Sequence, residues 1–206
     1  LLTPFDREMR RKGYRLTRYC DDWVVTCRTR AEAQQALRRA MKVLEALGVR
    51  INPGKTRIVH VQYGFEFLGY KIKRGSRPLR LAMNRIKSGA RNGDLYAYPT
   101  QKSVDRFKDT IRAHTHRRIP LRTTELVAEL NPRIRGWGNY YSRAHVRGLF
   151  NRLDRWIVRR IWSHRHKRWR CCGWRTLPTS KLRGELGLVG LVSLIPSIAA
   201  AKGAPS

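Results

Sequence analysis

Acidic residues are scarce in this chain. Of its 206 residues, 14 are Asp or Glu against 45 Lys or Arg, giving a formal charge of +31 and a pI near 11.5. Cysteine is scarce too, with four at positions 20, 27, 171 and 172. Their spacing is no disulfide framework and no secretory signal precedes them, so a reducing cytoplasm is the expected compartment. The uncharged stretch Leu186–Ala201 contains Pro196. It falls short of the roughly 20 residues that a membrane-spanning helix needs. Collagen-like, coiled-coil and multi-span membrane classes are excluded, and no internal repeat, glycine-rich P-loop or Ser-His-Asp order is present.

A hydrophobic fraction of 41% supports a real core, so wholesale disorder is excluded. The length fits one ordinary domain or two small ones. A folded surface with this charge repels itself until a polyanion neutralises it. Nucleic acid is the first candidate partner and an anionic membrane the second. Among the basic residues, 34 are Arg and 11 Lys. Arg grips phosphate with a planar fork and stacks on bases, although a GC-rich genome gives the same bias. The charge is not a tail: residues 1–100 carry 22 basic and 8 acidic side chains, and residues 101–185 carry 22 and 6. A partner is therefore expected to run across both halves. Oligomeric state is not legible.

The pattern along the chain predicts an α+β order. Leu1–Gly13 ends in a basic helix-like stretch. Arg15–Tyr19 and Trp23–Arg28 read as short strands split by Asp21 and Asp22, a hairpin with carboxylates at its tip. Thr29 and Glu32 form a T-x-x-E capping box. It opens a helix with Leu37, Ala40, Met41, Leu44 and Leu47 on one face and Gly48 as its stop. A turn at Asn52-Pro53-Gly54 leads to Lys55-Thr56, a strand at Arg57–Val61 and another at Glu66–Lys73. Residues 74–100 read as an irregular basic linker or insertion. From Ser103 the pattern turns helical. The first helix ends before Pro120 and the second is capped by Thr123. A third starts at Asn131-Pro132, and a fourth carries Leu149, Leu153, Trp156, Ile157 and Ile161. For residues 171–206 no structure is assigned. Leu186–Ala201 reads as a docking helix or strand of the core, or as a non-native tail such as read-through.

Arg18-Tyr19-Cys20-Asp21-Asp22 is the sharpest feature. Adjacent carboxylates repel each other, which raises one pKa unless a cation intervenes. Mg²⁺ takes one or two carboxylates plus substrate phosphates, and a two-metal site uses such groups for phosphoryl transfer. For the dipeptide taken alone, a plain hairpin turn is the competing reading.

The surroundings bring in a family. Tyr19-Cys20-Asp21-Asp22 between two apolar strands resembles the YxDD box of reverse transcriptases. Gly48-Val49-Arg50-Ile51-Asn52-Pro53-Gly54-Lys55-Thr56 resembles that family's next box, a glycine followed by a loop ending in Lys-Thr. Phe65-Glu66-Phe67-Leu68-Gly69-Tyr70 is similar to the primer-grip FLG box. Asn131-Pro132-Arg133-Ile134-Arg135-Gly136-Trp137-Gly138-Asn139-Tyr140-Tyr141 resembles the maturase (thumb) signature of group II intron proteins, and Leu153-Asp154-Arg155-Trp156-Ile157 fits the helix after it. Together the boxes cover roughly residues 1–170 and resemble the C-terminal part of a group II intron reverse transcriptase/maturase.

The resemblance implies a right-hand polymerase, with residues 1–73 as the end of the palm, 74–100 as a linker and 101–170 as an all-α thumb. Asp21 and Asp22 are then the catalytic, Mg²⁺-binding pair. Tyr19, Cys20, Lys55, Leu68 and Gly69 lie near the nucleotide or primer–template. Arg133, Arg135, Tyr140, Tyr141 and the basic helix Arg152–Arg170, including Arg152, Arg159 and Arg160, are expected to bind intron RNA or an RNA–DNA duplex through phosphates and stacking. Trp137, Trp156 and Trp162, at helical spacing, read as core. Family members also carry another metal-binding Asp on an earlier palm strand, fingers residues and a PQG-type box, none of which is in this sequence. A C-terminal endonuclease domain is also missing. Leu1 is not Met. The expectation is a portion that binds RNA and assists splicing but does not polymerise DNA alone; the alternative is a non-enzymatic RNA-binding module or a gene remnant. His164, His166, Cys171 and Cys172 lack zinc-ligand spacing.

Overall fold

A computed structural model describes residues 2–75, 95–167 and 173–196. The chain divides into two compact units, Leu1–Leu68 and Gly69–Ser206. The mixed composition, small antiparallel ladders followed by helices, is the α+β class expected from the sequence.

In the first unit, α1 (Thr3–Arg11) leads through Gly13 into the hairpin β1 (Arg15–Tyr19) and β2 (Asp22–Thr26), and α2 (Arg30–Ala46) follows. Thr29 caps α2 by accepting from the Glu32 amide at 3.1 Å. Glu32 reaches back to the Arg28 amide at 2.8 Å, a shifted version of the predicted capping box. The buried face of α2 is Ala36, Ala40 and Leu44, not the stripe through Met41, which is half exposed. Small residues at 36 and 40 let α2 lie close against α1 and β2. Phe5, Met9 and Leu16 complete that core, and Phe5 meets Trp23 edge-on at 5.5 Å.

Two expected strands change. Arg57–Val61 forms no ladder, because Ile58 and Val59 are both 42% exposed and bury no face. The run Glu66–Lys73 is broken into β3 (Phe65–Phe67) and β4 (Tyr70–Arg74), since Leu68 and Gly69 between them both take positive φ.

In the second unit β4 pairs antiparallel with β5 (Leu95–Pro99), in the register Tyr70↔Pro99 to Arg74↔Leu95. Leu95–Pro99, in the stretch read as irregular, is thus a strand; residues 76–94 of that stretch lie outside the described residues. The helices α3 (Gln101–His114), α4 (Thr123–Tyr141), α5 (Arg147–His166) and α6 (Thr179–Gly184) follow, then a 3₁₀ turn at Val192–Leu194. The second and third expected helices are one, with Pro132 inside α4. Asn131 does not cap a new helix because its side chain is held elsewhere. Its Nδ2 donates to the Gly187 carbonyl at 3.0 Å, and its Oδ1 accepts from the Val189 amide at 2.9 Å.

Asn131 is one of three anchors that dock the uncharged C-terminal stretch. The second is Asp154 of α5, 6% exposed, which accepts from the Leu191 amide at 2.8 Å and the Val192 amide at 3.2 Å and pairs with Arg183. The third is Gly138, where a Cβ would come within 2.5 Å of Leu194 and 2.8 Å of Leu191. Leu188 and Leu191 are buried in the main core. Through residue 196, the stretch read as docking segment or read-through is therefore packed as core; residues 197–206 lie outside the described residues.

Candidate functional site

The hairpin register ends at Tyr19↔Asp22, which leaves Cys20 and Asp21 as a two-residue turn. Cys20 takes φ +54°, a left-handed conformation that costs a non-glycine residue about 1 kcal/mol or more. Arg18 holds it: Nη1 donates to the Cys20 carbonyl at 2.7 Å. The same guanidinium forks onto Asp6 of α1, with Nε–Oδ1 at 2.7 Å and Nη2–Oδ2 at 2.6 Å. That pairing holds the Asp6 carboxyl below its usual range and raises Arg18. One side chain therefore ties the apex to a helix.

Tyr19, Cys20, Asp21 and Asp22 are all exposed. Four other acids are taken up by neighbouring arginines: Asp6 by Arg18, Glu8 by Arg11 and Arg39, Asp109 by Arg112 and Asp154 by Arg183; exposed Glu45 and Glu66, which are not adjacent to another acid, have no ion pair among the described residues. Among the described residues, the side chains of Asp21 and Asp22 join no ion pair or hydrogen bond. The tip is shifted by one residue from the expected Asp21-Asp22, with Asp21 in the turn and Asp22 opening β2; two adjacent bare carboxylates there, in a chain of +31 charge, form a donor set that fits a hard divalent cation. No third His, Cys, Asp or Glu of the described residues joins them. They match the one or two protein carboxylates of a magnesium site whose other ligands are phosphate and water.

Lys55 is exposed in a turn built by Asn52. The Asn52 carbonyl accepts from the Lys55 and Thr56 amides at 3.1 Å, and its Oδ1 accepts from the Gly54 amide at 2.9 Å. Leu68 ends the first unit at φ +49°. Gly69 opens the second unit at φ +76°, and a Cβ there would meet the Tyr141 hydroxyl at 2.7 Å. Backbone conformation and close approach both require glycine at 69. Its carbonyl accepts from the Thr100 amide at 2.9 Å and from the Tyr141 hydroxyl at 3.2 Å.

The thumb-signature residues divide. Tyr141 is 3% exposed; its hydroxyl shares a 2.8 Å hydrogen bond with Ser103, which accepts from Trp137 Nε1 at 3.1 Å. Its ring lies 4.8 Å from Tyr70 and 4.9 Å from Trp137, so it presents no face to a nucleic acid. Arg160 is also committed to the fold: Nε donates to Thr115 Oγ1 at 2.9 Å and Nη2 to the carbonyls of Thr115 and Arg112 at 3.2 and 3.4 Å. It closes the C-terminus of α3, where a cation complements the last carbonyls. Arg133, Arg135, Arg152 and Arg159 are exposed, and Tyr140 is 51% exposed. The Tyr140 carbonyl accepts from the Tyr70 hydroxyl, which fixes the backbone at the end of α4.

Sequence reasoning missed Asp6, Arg18, Ser103, Asn131 and Asp154 as positioning residues. Asp154 left a trace: it is the lone acid of a basic helix, in register with Val158 and Ile161 of the buried face. Cys171 and Cys172 lie outside the described residues, and His164 is buried with Nε2 3.0 Å from the Ile119 carbonyl.

Comparison with known families accounts for most of the chain. Residues 1–72 match the reverse transcriptase (RNA-dependent DNA polymerase) family, and residues 104–180 match the group II intron, maturase-specific domain. The chain is also 25% identical over 150 residues to an uncharacterized 91 kDa protein in a cob intron of Schizosaccharomyces pombe, over 69% of this chain. It spans about a fifth of that relative's length (19%). A reverse transcriptase segment carrying a bare two-carboxylate apex precedes a helical maturase domain in one polypeptide. The chain belongs to the group II intron reverse transcriptases/maturases. No helix of the described residues is long and apolar enough to cross a membrane.

Proposed function

We propose that the chain acts on nucleic acid as part of an intron-encoded RNA-directed DNA polymerase and splicing maturase, with Asp21 and Asp22 as its share of the metal-binding carboxylates. The observation that carries this reading is their exposure, without a cationic partner among the described residues, at a turn clamped by Arg18. Bound Mg²⁺ would supply Lewis-acid stabilisation of the phosphoryl oxygens. Arg18 holds the turn so that both carboxylates face solvent. Tyr19, Cys20, Lys55, Leu68 and Gly69 border the path of the primer–template. Arg133, Arg135, Arg152 and Arg159 neutralise phosphates of intron RNA or of an RNA–DNA duplex, and Tyr140 offers a stacking face. Tyr141 and Arg160 shape the helical unit that presents them.

A two-metal clamp needs further carboxylates, so these 206 residues by themselves are expected not to extend a primer on an RNA template; extension would overturn that. The experiment for the reading as a whole is salt-dependent binding to an intron RNA and to a duplex of equal length, with and without Mg²⁺. The R133A/R135A variant should bind more weakly and flatten the salt slope by roughly 1.5 to 2. The D21N/D22N variant should lose the Mg²⁺-dependent part of binding and keep the rest. If D21N/D22N leaves the response to Mg²⁺ unchanged, the non-enzymatic RNA-binding module replaces the polymerase reading.

A further inference from the structure

The first unit carries a cationic feature that the carboxylate apex does not use. At the start of β1, Lys12, Tyr14, Gln35, Arg38, Arg39 and Lys42 line an open basin of about 370 Å³. Four of the six are cations and none is an acid. Positions 35, 38, 39 and 42 are spaced i, i+3, i+4, i+7, so they form one stripe along α2. Lys12 and Tyr14 close the other side from the end of α1 and the approach to β1. The stripe flanks the buried Ala36–Ala40–Leu44 face and therefore lies open to solvent beside the core.

Arg39 is already engaged, since its guanidinium pairs with Glu8 of α1. It fixes α2 against α1 and shapes the basin wall. Lys12, Arg38 and Lys42 are exposed, and Tyr14 is half-buried, with part of its ring beside them. Small-molecule sites are mostly apolar and enclosed; this basin is neither. Three cations without an ion pair among the described residues, and an aromatic, in a shallow concavity suit a ridge of repeating negative charge. An anionic membrane is a weaker match: without inserted apolar side chains, three cations hold a bilayer by only about 1 kcal/mol each, and the main apolar face of α2 is buried in the core.

We propose that this basin is a docking site for the phosphodiester backbone of RNA, separate from the carboxylate apex. β1 separates the two by roughly 20 Å, taking about 3.3 Å per residue from Tyr14 to Cys20. RNA held here would be a different segment from the one at the apex. A structured RNA could then be gripped from the back of the unit while its working strand reaches Asp21 and Asp22.

The test is a salt titration of RNA binding by the full chain, using a structured intron RNA, with K12Q/R38Q/K42Q beside R133A/R135A. Removing three phosphate contacts should lower the salt slope by roughly 2 to 3 and weaken binding roughly ten- to thirtyfold. A photo-cross-linking residue in place of Gln35 should label RNA, and the label should vanish in the triple variant. Because the three side chains are exposed, circular dichroism should show the fold unchanged. If the triple variant keeps the wild-type slope while R133A/R135A loses part of it, the basin proposal fails and the proposed function stands. If both variants keep the wild-type slope, both fail. Loss of binding to anionic phospholipid vesicles with RNA binding intact would also overturn the assignment to RNA.

Discussion

In the first unit six side chains of the described residues, Phe5, Met9, Leu16, Ala36, Ala40 and Leu44, form the buried apolar core. In the second, nineteen of the described residues do, from Val104 to Leu191. Both units are strongly basic, yet they hold their functional surfaces by different means. The small unit fastens its apex with polar anchors, Arg18 to Asp6 and Arg39 to Glu8. The large unit supports its exposed arginines on interlocked volume, with Phe107 stacked on Trp137 at 4.5 Å and Phe150 at 5.8 Å from the same ring. A thin core leaves geometry dependent on charge, whereas a thick one leaves it dependent on packing. The first unit should therefore respond to pH and the second to changes in side-chain volume.

The largest effects are expected from emptying the cores. Phe150→Ala should destabilise the helical unit by about 3–5 kcal/mol and leave the fluorine NMR signal of fluorotryptophan-labelled Trp23, the single tryptophan of residues 1–68 and assigned with W23F, with its own urea midpoint. Phe5→Ala should do the reverse, shifting the Trp23 transition alone. Coincident shifts in both variants would show that the units unfold as one. Next comes the docked C-terminal stretch. Asp154→Ala strands the buried Leu191 amide, the part-buried Val192 amide and Arg183 and should cost about 3 kcal/mol. Limited proteolysis should then cut between residues 186 and 196, and an uncut chain would contradict the docking.

Acid should act on the small unit first. Glu8 is drawn down from 4.5 to about 2, chiefly by its hydrogen bonds from Arg11 and Arg39, and Asp6 is lowered by Arg18. Carboxyls with depressed pKa contribute stability that is full above their unfolded values and lost as pH falls through the folded ones. Between about pH 4.5 and 2 the Trp23 signal should therefore change while helical circular dichroism persists. Glu8→Gln should remove much of that difference. The smallest effect is expected from D21N/D22N. With no partner to lose among the described residues, its stability should stay within about 0.5 kcal/mol of the parent. A larger loss on thermal unfolding would mean that the apex carboxylates serve the fold rather than a ligand.

Much of this organisation was legible in one dimension. The β1–β2 hairpin, the start of α2 at Thr29 and the helical character after residue 101 follow from alternation, capping and 3.6-residue periodicity. The motif around Asp21 and Asp22 pointed to the family that the comparisons show. Other features needed neighbours. Asn131-Pro132 carries a good start signal, yet α4 runs through it because Asn131 is held by Gly187 and Val189, more than fifty residues away. Tyr140 and Tyr141 are adjacent and alike in sequence, but helix geometry turns one outward and the other into the core. Arg159 and Arg160 divide in the same way, one exposed and one closing α3.

The sequence alone determined the charge, the acidic hairpin and the helix that follows it, the helical character after residue 101 and the resemblance to intron-encoded polymerases, because each is written in composition or short-range spacing. Only the tertiary structure decided which aromatics and arginines are structural and which face outward. It also decided that the uncharged stretch up to residue 196 is core and that Lys12 joins Arg38 and Lys42 in one basin. The reason is physical: a polar side chain satisfies itself with whatever folding brings within about 3 Å, and that neighbour is set by packing, not by position along the chain.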